Sequence, residues 1–315
     1  MNKISHKLII SLILGTAITS HAQTQALSIA EPTSANNESK NKLVLSNELK
    51  SKTFQENTEI TDAKLKADAG SLSRYSLKFN VTYSGPTLTD LSEKDQPNPD
   101  GSIGSFQTAL GGSMGARYRL NSKSTVGIST GLKAIHPFHG VERVDLSNPS
   151  LTYDYSARVM GVQMKNSPGF VLRTVPDFTK VGQYGMLLDN HSIVFDLGSS
   201  GFSVGTDMAV GVFLYNREYQ VKDGKAARYS FEFNPNLKYN FSDKLSIITA
   251  SNISLWNPRG RSDQYALLNK SVNQRLGMGY AFKRDIYINP FLTFYPQHLA
   301  WSGVTLNMTT IFSVF

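Results

Sequence analysis

The sequence predicts an all-β protein: a closed, antiparallel, up-and-down transmembrane β-barrel of about twelve strands, ten at the lower bound, after a flexible N-terminal segment. Three observations predict it. Apolar and polar residues alternate strictly over many short stretches, long and short connections follow one another in turn, and the chain opens on an export leader. A strand with lipid on one side and a polar interior on the other must alternate, because successive side chains point to opposite faces.

Residues 1 to 22 have a basic start (Lys3, Lys7), an apolar stretch and a small-residue exit at Ser20 and Ala22, the layout of a cleavable signal peptide. The apolar stretch is shorter than the ~20 residues a spanning helix needs. With no Cys in the chain, a lipid-modified Cys and a disulfide framework are both excluded. Residues 23 to 72 are rich in Ser, Asn, Lys and Glu with Phe54 as the one aromatic, too little apolar surface to fold alone. They are expected to form a flexible polar periplasmic segment, and the alternative is a plug inside the barrel. The barrel is expected over 73 to 315.

The first strand carries Tyr75, Leu77, Phe79, Val81 and Tyr83 in one phase, and a long polar loop follows from 84 to 104. Phe106, Leu110, Met114, Ala116, Tyr118 and Leu120 mark the second. Val126, Ile128, Leu132 and Ala134 mark the third after a tight turn, and Tyr153, Tyr155, Ala157 and Val159 the fourth after a loop from 136 to 149. Residues 163 to 200 alternate least, and two short strands are expected there, at 170 to 173 and 192 to 197. Phe202 to Leu214 restores the register. Residues 228 to 241 then alternate with only Pro235 as an interruption, and 244 to 256 pair back as a hairpin. Strands led by Val272, Ile286 and Val304 complete the series. Gly111, Gly112 and Gly115 sit inside the second strand, where they predict close backbone approach rather than phosphate binding.

An even strand number puts both ends of the barrel on the side of the short turns. Aromatics near strand ends, among them Tyr75, Tyr118, Tyr153, Tyr280 and Trp301, match interfacial girdles. With its leader, alternation, sorted loops and terminal Phe315, the chain resembles the outer-membrane β-barrel superfamily over residues 74 to 315, and its porin-like members in particular. That resemblance implies an outer-membrane location and recognition of the terminal aromatic by the barrel-assembly machinery. Val304, Leu306, Met308 and Phe312 are out of phase with Phe315, so a bulge near Ile311 and Phe312 is expected to restore the register.

The formal net charge is +8, and loss of Lys3 and Lys7 with the leader lowers it by two. Basic residues are spread through strands and turns rather than blocked together, which argues against nucleic acid and for anionic lipid head groups, lipopolysaccharide or small anionic solutes as partners. The candidate lumen-facing charges are Arg117, Arg119, Lys133, Arg158, Asp207, Glu232, Lys238 and Arg275. A basic wall opposite acidic groups favours anionic solutes in a small pore; the same charges paired across the interior would seal it. The function expected is a small-solute channel with a mild anion preference. The alternatives are a non-conducting barrel acting through its loops in adhesion or as a scaffold, a soluble secreted β-protein, and an outer-membrane hydrolase.

No enzyme is expected and no cofactor. The best nucleophile pair, His191 and Ser192 with Asp196 nearby, consists of adjacent strand residues that face opposite ways. His136 and His139 lack a supporting carboxylate set for a metal. Asp90, Glu93, Asp95 and Asp100 lack the fixed spacing of a calcium loop.

Overall fold

The computed structural model describes residues 53–92, 94–98, 100, 102–216, 226–259 and 265–315. The expected signal peptide and the segment up to residue 52 lie outside the described residues.

Twelve antiparallel strands close into a barrel. They are β1 (Tyr75–Thr87), β4 (Ala109–Arg119), β5 (Ser124–Ile135), β7 (Ser150–Val159), β8 (Val162–Leu172), β9 (Gln183–Asp196), β10 (Phe202–Tyr215), β11 (Ala227–Asn240), β12 (Leu245–Pro258), β13 (Leu268–Lys283), β14 (Ile286–Phe294) and β15 (Thr305–Val314). Each pairs with the next, and β15 pairs back to β1 from Leu77 opposite Val314 to Ser84 opposite Asn307. Closure leaves no unpaired edge, the one sheet arrangement that satisfies every backbone group without water. Tight turns join β4 to β5, β7 to β8, β9 to β10, β11 to β12 and β13 to β14, all at one end. The other end carries the longer connections. Among them are a small hairpin of β2 (Asp95–Pro97) with β3 (Ile103–Gln107) and the short β6 (Arg143–Leu146) laid against β5.

The alternation holds in the burial of the side chains. Outward positions keep Ile128 64% and Phe282 54% exposed, with Leu151, Leu187, Val204, Leu276, Met278 and Leu306 also exposed. Inward neighbours such as Thr125, Gln163, Ser203 and Asn307 are buried. An apolar outside and a polar inside reverse the pattern of a water-soluble domain. Aromatics gather outward near the tight-turn end, where Tyr75 meets Tyr118 at 5.3 Å, Phe202 meets Tyr239 at 4.7 Å and Tyr280 meets Phe282 at 4.6 Å between ring centroids.

Three local expectations are corrected. The two middle strands are far longer than expected, because Met160-Gly161 makes the turn between β7 and β8 and Pro168 is accommodated within β8 opposite Asp189. The second strand begins at Ala109, with Phe106 in the loop hairpin instead. No bulge interrupts β15: its register with β14 runs unshifted from Ile286 opposite Phe312 to Thr293 opposite Thr305. Ile311 therefore points inward, Val314 is the last outward residue, and Phe315 turns away with φ 83°. Gly112 and Gly115 do permit close approach, since a Cβ would lie 2.0 Å from the Asn80 carbonyl oxygen at the first and 2.4 Å from that of Ile128 at the second. Gly111 has no such constraint.

Candidate functional site: an inserted segment across the tight-turn mouth

From residue 53 onward the N-terminal segment lies inside the barrel, in place of the free polar segment expected through Leu72. Thr53 bridges to Ser73, and Phe54 N donates to the Leu72 carbonyl at 2.9 Å, so the segment folds back on itself. Between these ends runs one short helix, α1 (Ala63–Ala69). Asp62 caps it, its carboxylate accepting from Leu65 N at 2.9 Å, which satisfies one of the free first-turn N–H groups. Gly70 ends it with φ 74°. A side chain there would be strained and would meet Arg117 Nη1 at 2.5 Å.

A seven-residue helix is not stable alone; this one is held by the wall. Ala67, fully buried, packs on Ala281, Tyr287 and Ile311, with Ala63 and Ile248 beside them. Those inward apolar positions on β12, β13, β14 and β15 form a small dry seat in an otherwise polar lumen. Around the seat, charged wall residues grip the segment. Glu59 accepts from Lys123 Nζ at 2.5 Å and from Arg158 N at 3.1 Å, while Arg158 Nε donates to the Glu59 carbonyl at 2.8 Å. Gln163, with no exposed surface, accepts from Thr61 N at 2.7 Å and Asp62 N at 2.9 Å. Asp62 pairs with Lys238, Lys64 with Asp207 at 2.7 Å, and Asp68 with both Lys78 and Lys165.

The helix C-terminus is met by three guanidinium groups. Arg117 Nη1 donates to the Ala69 carbonyl at 3.0 Å, Arg119 Nη2 to the same oxygen at 2.7 Å, and Arg284 to that of Gly70. Carbonyls left free at a helix end carry partial negative charge, so cations there are favourable. Arg117 also pairs with Asp154 and donates to Thr125 Oγ1 at 2.5 Å. Ser71 donates to the backbone carbonyl of Phe315, tying the segment to the end of β15.

The structure thus brings together Arg117, Arg119, Arg158, Asp207 and Lys238 around one segment. Arg275 lies across the same lumen, its guanidinium 5.2 Å from the Phe291 ring, and lines a cavity with Asp207 and Lys238. Lys133 and Glu232 are exposed inward positions away from the segment. Sequence reasoning missed Lys78, Lys165, Asp154, Gln163 and Arg284. Lys78 occupies the polar phase of the first strand and was legible there, whereas Lys165 lay hidden in the stretch where Asn166 and Pro168 interrupt the apolar phase.

The other candidates do not converge. His191 Nε2 meets Asp189 at 2.8 Å on the outer face, while Ser192 donates to Asp207 at 2.6 Å on the inner one. His136 meets Glu142 at 2.7 Å, and His139 reaches the Leu91 carbonyl at 3.3 Å. Asp90 and Asp100 accept from Ser92 and Ser102 of their own loop. Glu93 is outside the described residues.

No protein-family model matches the chain, and no curated protein matches it. Among solved structures it is similar to an outer membrane channel from Pseudomonas putida F1, at 13% identity and TM-score 0.48, over 78% of this chain and 98% of that one. It is also similar to the NanC porin, at 7% identity and TM-score 0.41, over 76% and 98% of the two chains. A third is Salmonella typhi OmpF in complex with daunomycin, at 6% identity and TM-score 0.35, over 76% and 97%.

Proposed function

We propose that the protein is an outer-membrane channel for small solutes with a mild preference for anions, its periplasmic mouth held by its own residues 53–73. The single observation that carries this reading is the charge of the wall around the inserted segment: Lys78, Arg117, Arg119, Arg158, Lys165, Lys238 and Arg284 face it, against Asp154, Asp196 and Asp207. The segment is complementary, with Glu56, Glu59, Asp62 and Asp68 against Lys64 and Lys66. Withdrawal of the segment uncovers an excess of positive wall charge, and a ring of like charge selects counter-ions.

The exposed apolar belt and its aromatic rim support membrane insertion, since a belt of this kind in water marks a surface built for another phase. In a bilayer the tight turns face the periplasm and the longer connections the exterior, and a leader followed by a largely apolar outer belt, interrupted by the Asp189–His191 pair, fits the outer membrane. The dense pairing of the segment supports a second reading, a barrel sealed for good.

Single-channel recording of the refolded mature chain in planar bilayers separates the two, with and without residues 23–72, at asymmetric salt. Stable steps with a reversal potential favouring anions, longer or more frequent after truncation, are expected. Heat-modifiable insertion without steps in either form would sink the channel reading and leave the surface loops as the working part.

A further inference from the structure

Between α1 and the inward faces of β1, β4, β5, β7, β8 and β9 lies a cavity of about 400 Å³, within the ~300–1,000 Å³ range of small-molecule sites. Its walls are hydroxyls and amides, including Asn80, Ser113, Ser129, Thr152, Ser167 and Asn190. Such groups both donate and accept, which suits a solute that carries hydroxyls.

Charge is confined to one side. Lys78, Arg117 and Lys165 face Asp68 and Asp154 there, while Lys64 is neutralised by Asp207. Three cations against two carboxylates leave one positive charge uncompensated. Lys165 Nζ reaches Asp68 and, at 3.6 Å, Asp154. Lys78 Nζ reaches the Asp68 carboxylate and, at 2.8 Å, its carbonyl. An ammonium group has three N–H donors, and among the described residues the contacts of each lysine use at most two.

We infer that this cavity binds a small, hydroxylated oxyanion of single charge, whose acid group takes Lys78 and Lys165 in competition with Asp68 and so loosens the inserted segment from the wall. The inference rests on the channel reading for the route by which the solute arrives. Asp68 is the one carboxylate of the segment that touches both lysines, so any anion drawn to them weakens its hold. By linkage, docking of Asp68 weakens solute binding by the same factor by which bound solute weakens that docking, so removing the Asp68 carboxylate must strengthen solute binding.

The test is calorimetric titration of the full mature chain in detergent micelles with gluconate, against mannitol, which lacks the acid, and propionate, which lacks the hydroxyls. Gluconate is expected to bind at least about tenfold tighter than either, a difference well resolved by this method. Lys165→Gln should lose that advantage and Lys165→Arg keep most of it. Asp68→Asn should bind gluconate several-fold more tightly than the parent, a gain that a merely structural role for Asp68 would not give. If Lys165→Gln fails to show the heat-modifiable folded band, Asp68→Asn reads the same competition from the other side. Equal affinity for the three solutes, or Asp68→Asn binding no tighter than the parent, overturns the inference. Binding without conductance would leave the site standing and remove the channel; conductance without binding would do the reverse.

Discussion

Lys64 Nζ of the inserted helix lies 2.7 Å from Asp207 Oδ2 on β10, a contact spanning 143 residues of chain that locks a local helix to a distant wall. Both side chains keep a third or more of their surface exposed, so the pair sits in a wet lumen and its coupling is expected at about 0.5–1 kcal/mol. A double-mutant cycle on segment docking, read as protease cleavage within residues 53–72, should give that value for Lys64→Met and Asp207→Asn. The exchanged pair Lys64→Asp with Asp207→Lys should recover part of the loss. Additive single effects would show that the contact contributes nothing to docking.

Acid should release the segment only at low pH. The hydrogen bond from Lys123, aided by the Arg158 N–H, holds the Glu59 carboxyl below its ordinary value. Burial pushes Asp68 up, but Lys165 and Lys78 outweigh it and leave the group well below the usual carboxylate range. Both values are depressed when docked. Their contribution is therefore complete above the undocked value near ~4 and disappears as pH falls through the lower docked values. Conductance or protease cleavage should stay at the neutral-pH level at pH 5 and rise only below about pH 4. Release between pH 6 and 7 would point to histidine control and contradict this account.

Ala67 marks the steric side of the same device. It has no exposed surface and faces Ala281, Tyr287 and Ile311, so Ala67→Leu has no space to occupy and should cost about 1–3 kcal/mol of docking. The barrel strands do not depend on Ala67. Heat modifiability should then be unchanged while open-channel events become more frequent. A lowered barrel melting temperature with no change in opening would mean that the segment is a structural part of the barrel wall.

The barrel was legible because its driving pattern is local: period two is written into each strand, and the closing pair β1 and β15 needs only an even strand number and matched ends. The inserted segment was not, because its partners are non-local and polar. Asp62, Lys64 and Asp68 read as a soluble, charged run, and nothing in that run points to Lys238, Asp207 or Lys165, which lie 97 or more residues away along the chain. Leu65 and Ala67 supply too few apolar positions to show a helical period. Gln163 was missed for a different reason, as a neutral amide in the least regular stretch. The bulge anticipated in β15 failed because Ile311 is needed inside as part of the seat for Ala67, and so the terminal aromatic falls outside the alternation.

Arg117 and Arg119 should differ in effect although both reach the helix C-terminus. Arg119 touches carbonyls of the segment, at Ala69 and Ser71, and of the neighbouring turn. Arg117 adds the pair with Asp154, while both arginines are buried. Arg119→Gln should therefore weaken docking while sparing the barrel, giving more openings with anion preference largely kept by the remaining cations. Arg117→Gln leaves Asp154 with Lys165 as its cationic partner, at 3.6 Å, and breaking a buried pair by removing one partner costs about 3–5 kcal/mol. It should lower barrel stability as well as docking, and shift the reversal potential toward cations by more than Arg119→Gln does. Paired recordings and unfolding curves on the two variants check this. Equal loss of barrel stability in both would show that the wall pair with Asp154 carries no separate weight, and unchanged selectivity in both would remove these guanidinium groups from the proposed anion preference.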